Sequence, residues 1–171
     1  NSRVVKYDKN GRFLAQFAGG ERGPGQNQLN TPHSITSDAQ GNIYVADRGN
    51  RRIQVFTPEG KYIREFTIDV PVDTTKGKIT YGVELPNAKT GSQAPGAPDA
   101  LCMTPGPNPV LFVGDLYPSR IYKVSLEGKL LGVYGGPGRN PRELGWIHAI
   151  ARPSENEIPV GDLINSRAQK P

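Results

Sequence analysis

Asp38-Ala39-Gln40-Gly41-Asn42-Ile43-Tyr44-Val45-Ala46-Asp47-Arg48-Gly49-Asn50-Arg51-Arg52-Ile53-Gln54-Val55-Phe56 is the stretch that decides the fold. Two short apolar runs, rich in β-branched and aromatic residues, flank a polar turn, as paired strands do. The stretch also recurs. Val45-Ala46-Asp47, Val113-Gly114-Asp115 and Val160-Gly161-Asp162 are each followed, five residues after the Asp, by an arginine: Arg52, Arg120 and Arg167. An earlier copy survives as its tail, with Arg3 in the equivalent place. Eight residues after the arginine comes a turn glycine (Gly11, Gly60, Gly128), and an aromatic closes the unit at Phe17, Phe66 and Tyr134.

In the fullest copy the pattern predicts four strands, Ser34–Ser37, Ile43–Ala46, Arg52–Phe56 and Tyr62–Phe66, with Gly41 and Gly60 in the turns. Units of roughly 40–50 residues with four strands each are the blades of a β-propeller, and neighbouring blades supply one another's core. The fold class is therefore all-β, with about three blades present. Residues 1–17 read as the tail of one blade, 29–66 and 98–134 as blades, and 143–171 as an incomplete blade. The step from Arg52 to Arg120 is longer than the others, which places an inserted loop at 67–97, rich in Gly, Pro, Lys and Thr. Propellers close with about four to eight blades. The expected ring therefore takes its remaining blades from further chain or from a second copy.

The last copy departs from the pattern. Pro159 stands where Tyr44 and Phe112 stand, and a mid-strand proline removes a ladder donor. Ala168 and Pro171 replace Ile53 and Phe56, so this blade is expected to be poorly packed or exposed. The repeated Asp and Arg are expected to pair within each blade, a structural role that recurs because the blade recurs.

Composition narrows the function. The 171 residues are 35% hydrophobic and 22% charged, with 21 Gly and 16 Pro, enough for a globular core with many turns. A single cysteine, Cys102, excludes an internal disulfide and a Cys-based zinc finger. There is no long apolar run, so no membrane span is expected. Net charge is +5, but the basic residues are scattered (Arg48, Arg51, Arg52; Lys76, Lys78; Arg139, Arg142), which argues against nucleic acid as the partner. Gly19-Gly20-Glu21-Arg22-Gly23-Pro24-Gly25 lacks the ending of a phosphate loop.

Function is more readily sought where the copies differ. The two histidines, His33 and His148, are separated by the same interval as Arg52 and Arg167, so they occupy one repeat position two blades apart. That position opens the innermost strand and faces the central channel; counting from Arg120 puts Leu101 there in the intervening blade. Two converging imidazoles either share a metal, zinc being suited to neutral imidazole, or cap their strands at the channel mouth. Arg48 and Tyr117 lie in the loops after the second strand. Arg48 there can hold a carboxylate and Tyr117 can serve as acid or base, or each can be a solvated or packed side chain. Trp146 reads as a wall of the channel.

The quoted stretch resembles a consensus NHL repeat. More narrowly, Pro32-His33-Ser34-Ile35, Asp47-Arg48 and Trp146-Ile147-His148-Ala149-Ile150 resemble peptidyl-α-hydroxyglycine α-amidating lyase and its bacterial relatives. That resemblance implies a six-bladed ring with an axial zinc held by three histidines from alternate blades. It implies cleavage of a peptidyl-α-hydroxyglycine, a small peptide-like substrate, into a peptide amide and glyoxylate. His33 and His148 fall on two of the three zinc ligands and Arg48 on the family arginine. Tyr117 has the offset of the family tyrosine but lies on another blade. Ala149 replaces an acidic residue that helps bind calcium, so no calcium is expected. The resemblance also implies an extracellular or periplasmic setting. The alternative is a non-catalytic propeller that binds a protein or RNA partner, which predicts basic residues on one face and metal-free histidines.

Overall fold

The computed structural model describes residues 2–72, 94–151 and 157–170. Among the described residues all regular structure is β apart from one 3-10 turn at Arg48–Asn50. Strands β1 (Val4–Tyr7) and β2 (Phe13–Phe17) form a two-stranded antiparallel sheet. A four-stranded sheet follows, made of β3 (Pro32–Ser37), β4 (Ile43–Asp47), β5 (Arg52–Phe56) and β6 (Tyr62–Phe66) in sequence order. The next sheet repeats it with β7 (Pro98–Met103), β8 (Leu111–Asp115), β9 (Arg120–Val124) and β10 (Leu130–Gly135). The last has three strands: β11 (Ile147–Ile150), β12 (Val160–Asp162) and β13 (Arg167–Gln169). Successive antiparallel meanders of this kind are propeller blades. Much of the inserted loop expected at 67–97, with Lys76 and Lys78, lies outside the described residues. Its described ends are anchored, with Ile68, Ala94 and Ala97 buried.

The core lies between blades. Tyr44, Ala46, Ile53 and Val55 pack against Leu101, Leu111, Val113, Tyr122 and Val124 of the next blade. Alternate residues of the same strand turn the other way, so Val45 and Phe56 pack against Ala18 and Leu29. One blade on, Phe112 and Ile121 pack against Ile147, Ile150 and Val160. A central blade is thus buried on both faces, and all five residues of β5 and of β8 are buried. The two-stranded sheet leaves Tyr7, Phe13 and Leu14 exposed.

The turn glycine and the closing aromatic are a single contact seen from two blades. Gly60 has φ +85°, and a Cβ there would lie 2.4 Å from the Phe17 ring of the preceding blade. Gly128, at φ +92°, meets Phe66 at 2.5 Å in the same way. Only a residue without a side chain tolerates both the left-handed backbone and the ring.

In two blades the repeated Asp–Arg pair clasps the blade to the linker before it; in blade 98–134 the expected pair does not form, because the Arg120 guanidinium turns to the carbonyls of Val70 and Pro71. Asp47 is buried and accepts hydrogen bonds from the backbone N–H of Asn30 (2.6 Å), Asn50 Nδ2 (2.7 Å), Arg52 Nε (2.7 Å) and Gln54 Nε2 (3.2 Å). The far end of Arg52 donates to the carbonyls of Pro24, Gly25 and Gln28. Arg167 repeats this with Asp162 (3.3 Å) and the carbonyls of Arg139, Asn140 and Glu143.

The last blade corrects one expectation. It is shortened, because β12 begins only after Pro159, whose ring cannot donate to the ladder. It is nevertheless packed: Ile147, Ile150 and Val160 are buried against the preceding blade, while His148 and Ala149 of β11 and Ala168 of β13 are exposed. The inward face keeps its apolar residues, and the losses at Ala168 fall on the outer strand.

Candidate functional site

The innermost strands β3, β7 and β11 each begin with a residue paired to the repeated Asp: Pro32 to Asp47, Pro98 to Asp115, and Ile147 to Asp162. In all three ladders the register shifts just after this pair. An irregularity of that kind re-aims a side chain. The residue next to the shift is His33 in one blade, Asp99 in the next and His148 in the third.

The residue intervening between the histidines is therefore Asp99, not Leu101, which corrects the expectation from counting. The β7–β8 turn is two residues longer than its counterpart, closing from Thr104 to Val110 where the earlier blade closes from Asp38 to Asn42. Counting back from Arg120 across that longer turn therefore stops two residues short of Asp99, within the strand. Leu101 instead belongs to the core between blades.

The structure brings His33 and His148 together, with ring centroids 5.6 Å apart and planes at 86°. His33 Nδ1 lies 2.9 Å from the backbone carbonyl oxygen of Asp99 and 3.4 Å from its Oδ1. A carbonyl can only accept, so the hydrogen bond places the proton on Nδ1 and leaves Nε2 with a free lone pair. A backbone carbonyl bonded to one ring nitrogen in this way fixes the orientation of the imidazole and turns its other nitrogen outward. His148 packs its ring edge against Trp146, with centroids 5.9 Å apart.

Asp99 is fully buried. Its Oδ1 accepts from Arg48 Nη1 at 2.5 Å, and its Oδ2 accepts from the Trp146 indole N–H at 2.9 Å. Three consecutive blades thus meet at one carboxylate. Arg48 is largely buried, and its Nε has no hydrogen-bond partner among the described residues. Trp146 is placed in turn by Asp162, whose Oδ1 accepts the backbone N–H groups of Gly145 and Trp146.

Tyr117 is partly buried on the β8–β9 loop, at the same end of its blade as Asp99. Among the described residues no hydrogen bond or ring contact ties it to the histidines. The cluster consists of His33, His148, Arg48, Asp99 and Trp146. Sequence reasoning missed the role of Asp99, and the long Pro105-Gly106-Pro107-Asn108-Pro109 turn is the signal that would have shifted the register to find it.

Zinc fits the two imidazoles only as half of a site. The rings converge and His33 presents Nε2. Among the described residues, however, no group of three or more His, Cys, Asp or Glu side chains could hold an ion. The Asp99 carboxylate is already engaged by Arg48 and Trp146. A zinc site here would need at least one further ligand beyond these two. No helix among the described residues is long and apolar enough to cross a membrane.

Residues 29–56 match the NHL repeat family. Mouse NHL repeat-containing protein 3 is 48% identical over 56 residues, covering 33% of this chain and 16% of that protein. A probable peptidyl-α-hydroxyglycine α-amidating lyase of Caenorhabditis elegans is 26% identical over 153 residues, covering 74% of this chain and 44% of that protein. Peptidyl-glycine α-amidating monooxygenase A of Xenopus laevis is 40% identical over 94 residues, covering 48% of this chain and 10% of that protein. Among solved structures, a protein of unknown function from Bacteroides caccae superposes with a TM-score of 0.50 at 13% identity, over 99% of this chain and 54% of that one. The chain spans less than half the length of these curated relatives. Residues 29–56 are an NHL repeat, and the chain around them is a partial β-propeller whose relatives include NHL-repeat proteins and amidating lyases.

Proposed function

We propose that this chain is part of a six-bladed, zinc-dependent lyase that cleaves a peptidyl-α-hydroxyglycine to a peptide amide and glyoxylate. The observation that carries the reading is the convergence of His33 and His148 from alternate blades beside Arg48. The similarity to the worm lyase and the frog monooxygenase supports it.

In this reading zinc, when bound, supplies Lewis acidity at the substrate α-hydroxyl. His33 and His148 hold it, with a third ligand from the blade that completes the alternation. Arg48, with Nη1 on Asp99, is the candidate for holding the substrate carboxylate. Tyr117 is the candidate acceptor for the hydroxyl proton. The hydroxyl oxygen then becomes the carbonyl oxygen of glyoxylate, the C–N bond breaks, and a proton returns to the amide nitrogen. Trp146 limits water and side-chain space at the axis.

The test is glyoxylate release from a peptidyl-α-hydroxyglycine by the full-length protein, with and without a zinc chelator, beside Arg48→Ala. The reading expects chelator-sensitive release and a rise in KM in the variant. No glyoxylate from the zinc-loaded full-length protein overturns it and favours a propeller that binds a protein or RNA partner.

A further inference from the structure

We propose that Asp99 is a positioning residue that sets the axial histidine pair from the blade between them. It holds the pair with two different groups. Its backbone carbonyl accepts a hydrogen bond from His33 Nδ1–H at 2.9 Å, and its carboxylate oxygen lies 3.4 Å from the same nitrogen. Both favour a proton on Nδ1, so Nε2 stays free and points away from Asp99. The carboxylate meanwhile grips Arg48 of the blade that carries His33, and the Trp146 indole of the blade that carries His148. Trp146 in turn sets the face against which the His148 ring rests.

Burial makes this grip stiff. Asp99 is fully buried, and its two carboxylate oxygens are held by the Arg48 guanidinium and the Trp146 indole N–H. The residue also lies beside a register shift, so ordinary ladder pairing does not fix its own backbone. The side-chain bonds to Arg48 and Trp146 take over that task. Loosening the carboxylate therefore moves the carbonyl that orients His33, and it frees the indole beside His148.

The test uses the full-length protein with 15N-labelled histidine. Long-range proton–nitrogen spectra of the metal-free protein report the His33 tautomer, and competition with a chelator reports zinc affinity. The affinity readout rests on the axial zinc site proposed above; the tautomer readout does not. Wild type is expected to show His33 protonated at Nδ1 alone. Asp99→Asn keeps the volume but cannot accept from both donors, so it is expected to show mixed tautomers. Its zinc affinity should fall about 10–100-fold, the usual effect of losing an outer-shell partner. If Asp99→Asn does not unfold cooperatively, Trp146→Phe removes the indole donor alone and is expected to shift the His33 signals and weaken zinc several-fold. Wild-type His33 protonated at Nε2, or a folded variant with unchanged tautomer and unchanged affinity, overturns the proposal. A wild type that shows the Nδ1 tautomer yet binds no zinc supports the placement of His33 and overturns the lyase reading instead.

Discussion

Asp115 and Asp162 hold the same repeat position in adjacent blades, yet their surroundings push them in opposite directions. Burial raises both. At Asp162 that is outweighed by hydrogen bonds from Asn165, from the backbone of Gly145 and Trp146 and from Asn165 N–H, which hold the carboxyl below its ordinary range. At Asp115 burial wins, and the carboxyl rises from 3.8 to about 6 despite bonds from the Tyr122 hydroxyl and the Arg120 and Gly96 N–H groups. Blade 98–134 has Pro118 where the others have Asn50 and Asn165, and Tyr122 where they have Gln54 and Gln169. Arg120 turns its guanidinium to the carbonyls of Val70 and Pro71 at the root of the insertion. The comparison teaches that the clasp is modular: a blade can give up its ion pair to anchor an inserted segment, at some cost to its own carboxylate.

The largest effect is expected where the clasp is complete. Asp47→Ala leaves Arg52, Asn50 and Gln54 without their shared acceptor in a buried site. It should cost about 3–5 kcal/mol in urea unfolding of the full-length protein. A loss below about 1 kcal/mol would mean that the linker carbonyls alone hold Arg52.

The pH dependence sharpens the contrast. Asp115 binds its proton more tightly folded than unfolded, so its contribution is fully present below about pH 4 and is lost as pH rises through about 6, up to about 3 kcal/mol. Asp162 has the opposite sign; its contribution is present at neutral pH and is lost as pH falls through its lowered folded value. The stability gap between wild type and Asp115→Asn should therefore narrow from pH 4.5 to 7.5, whereas that between wild type and Asp162→Asn should stay level over this range and shrink only below about pH 4. Parallel pH profiles for the two variants would break the comparison.

Packing between blades supplies the smallest pair. A Cβ on Gly114 would sit 2.5 Å from Ile147 Cγ2, so Gly114→Ala should cost about 1–3 kcal/mol by forcing the two blades apart. Gly161, one blade on, has its nearest neighbour at 3.6 Å, and Gly161→Ala should stay within about 0.5 kcal/mol. Equal shifts in unfolding midpoint would contradict the inter-blade core.

The sheets were legible because the repeat is written at several levels at once: Asp and Arg, turn glycine, closing aromatic. Residues Arg52–Phe56 and Tyr62–Phe66 form strands with those bounds, and Ser34–Ser37 is extended only at its start, to Pro32. The histidine pair was legible because His33 and His148 lie the same distance before equivalent arginines. Asp99 was not, since two extra residues in the turn from Thr104 to Val110 shift the count, and only the ladder shows that Pro98 faces Asp115. The bond from the Trp146 indole to Asp99 was also hidden, because it joins residues of different blades whose sequence patterns are unrelated. The packing of Ile147 and Val160 was obscured by Pro159, whose effect is confined to the length of one strand.

Elemental analysis of the full-length protein, wild type beside a His33→Ala/His148→Ala double variant, tests the central claim most directly. The account predicts about one zinc per wild-type chain, lost in the variant. Absence of zinc from a folded wild-type protein purified without chelator, or equal zinc in both, would contradict it.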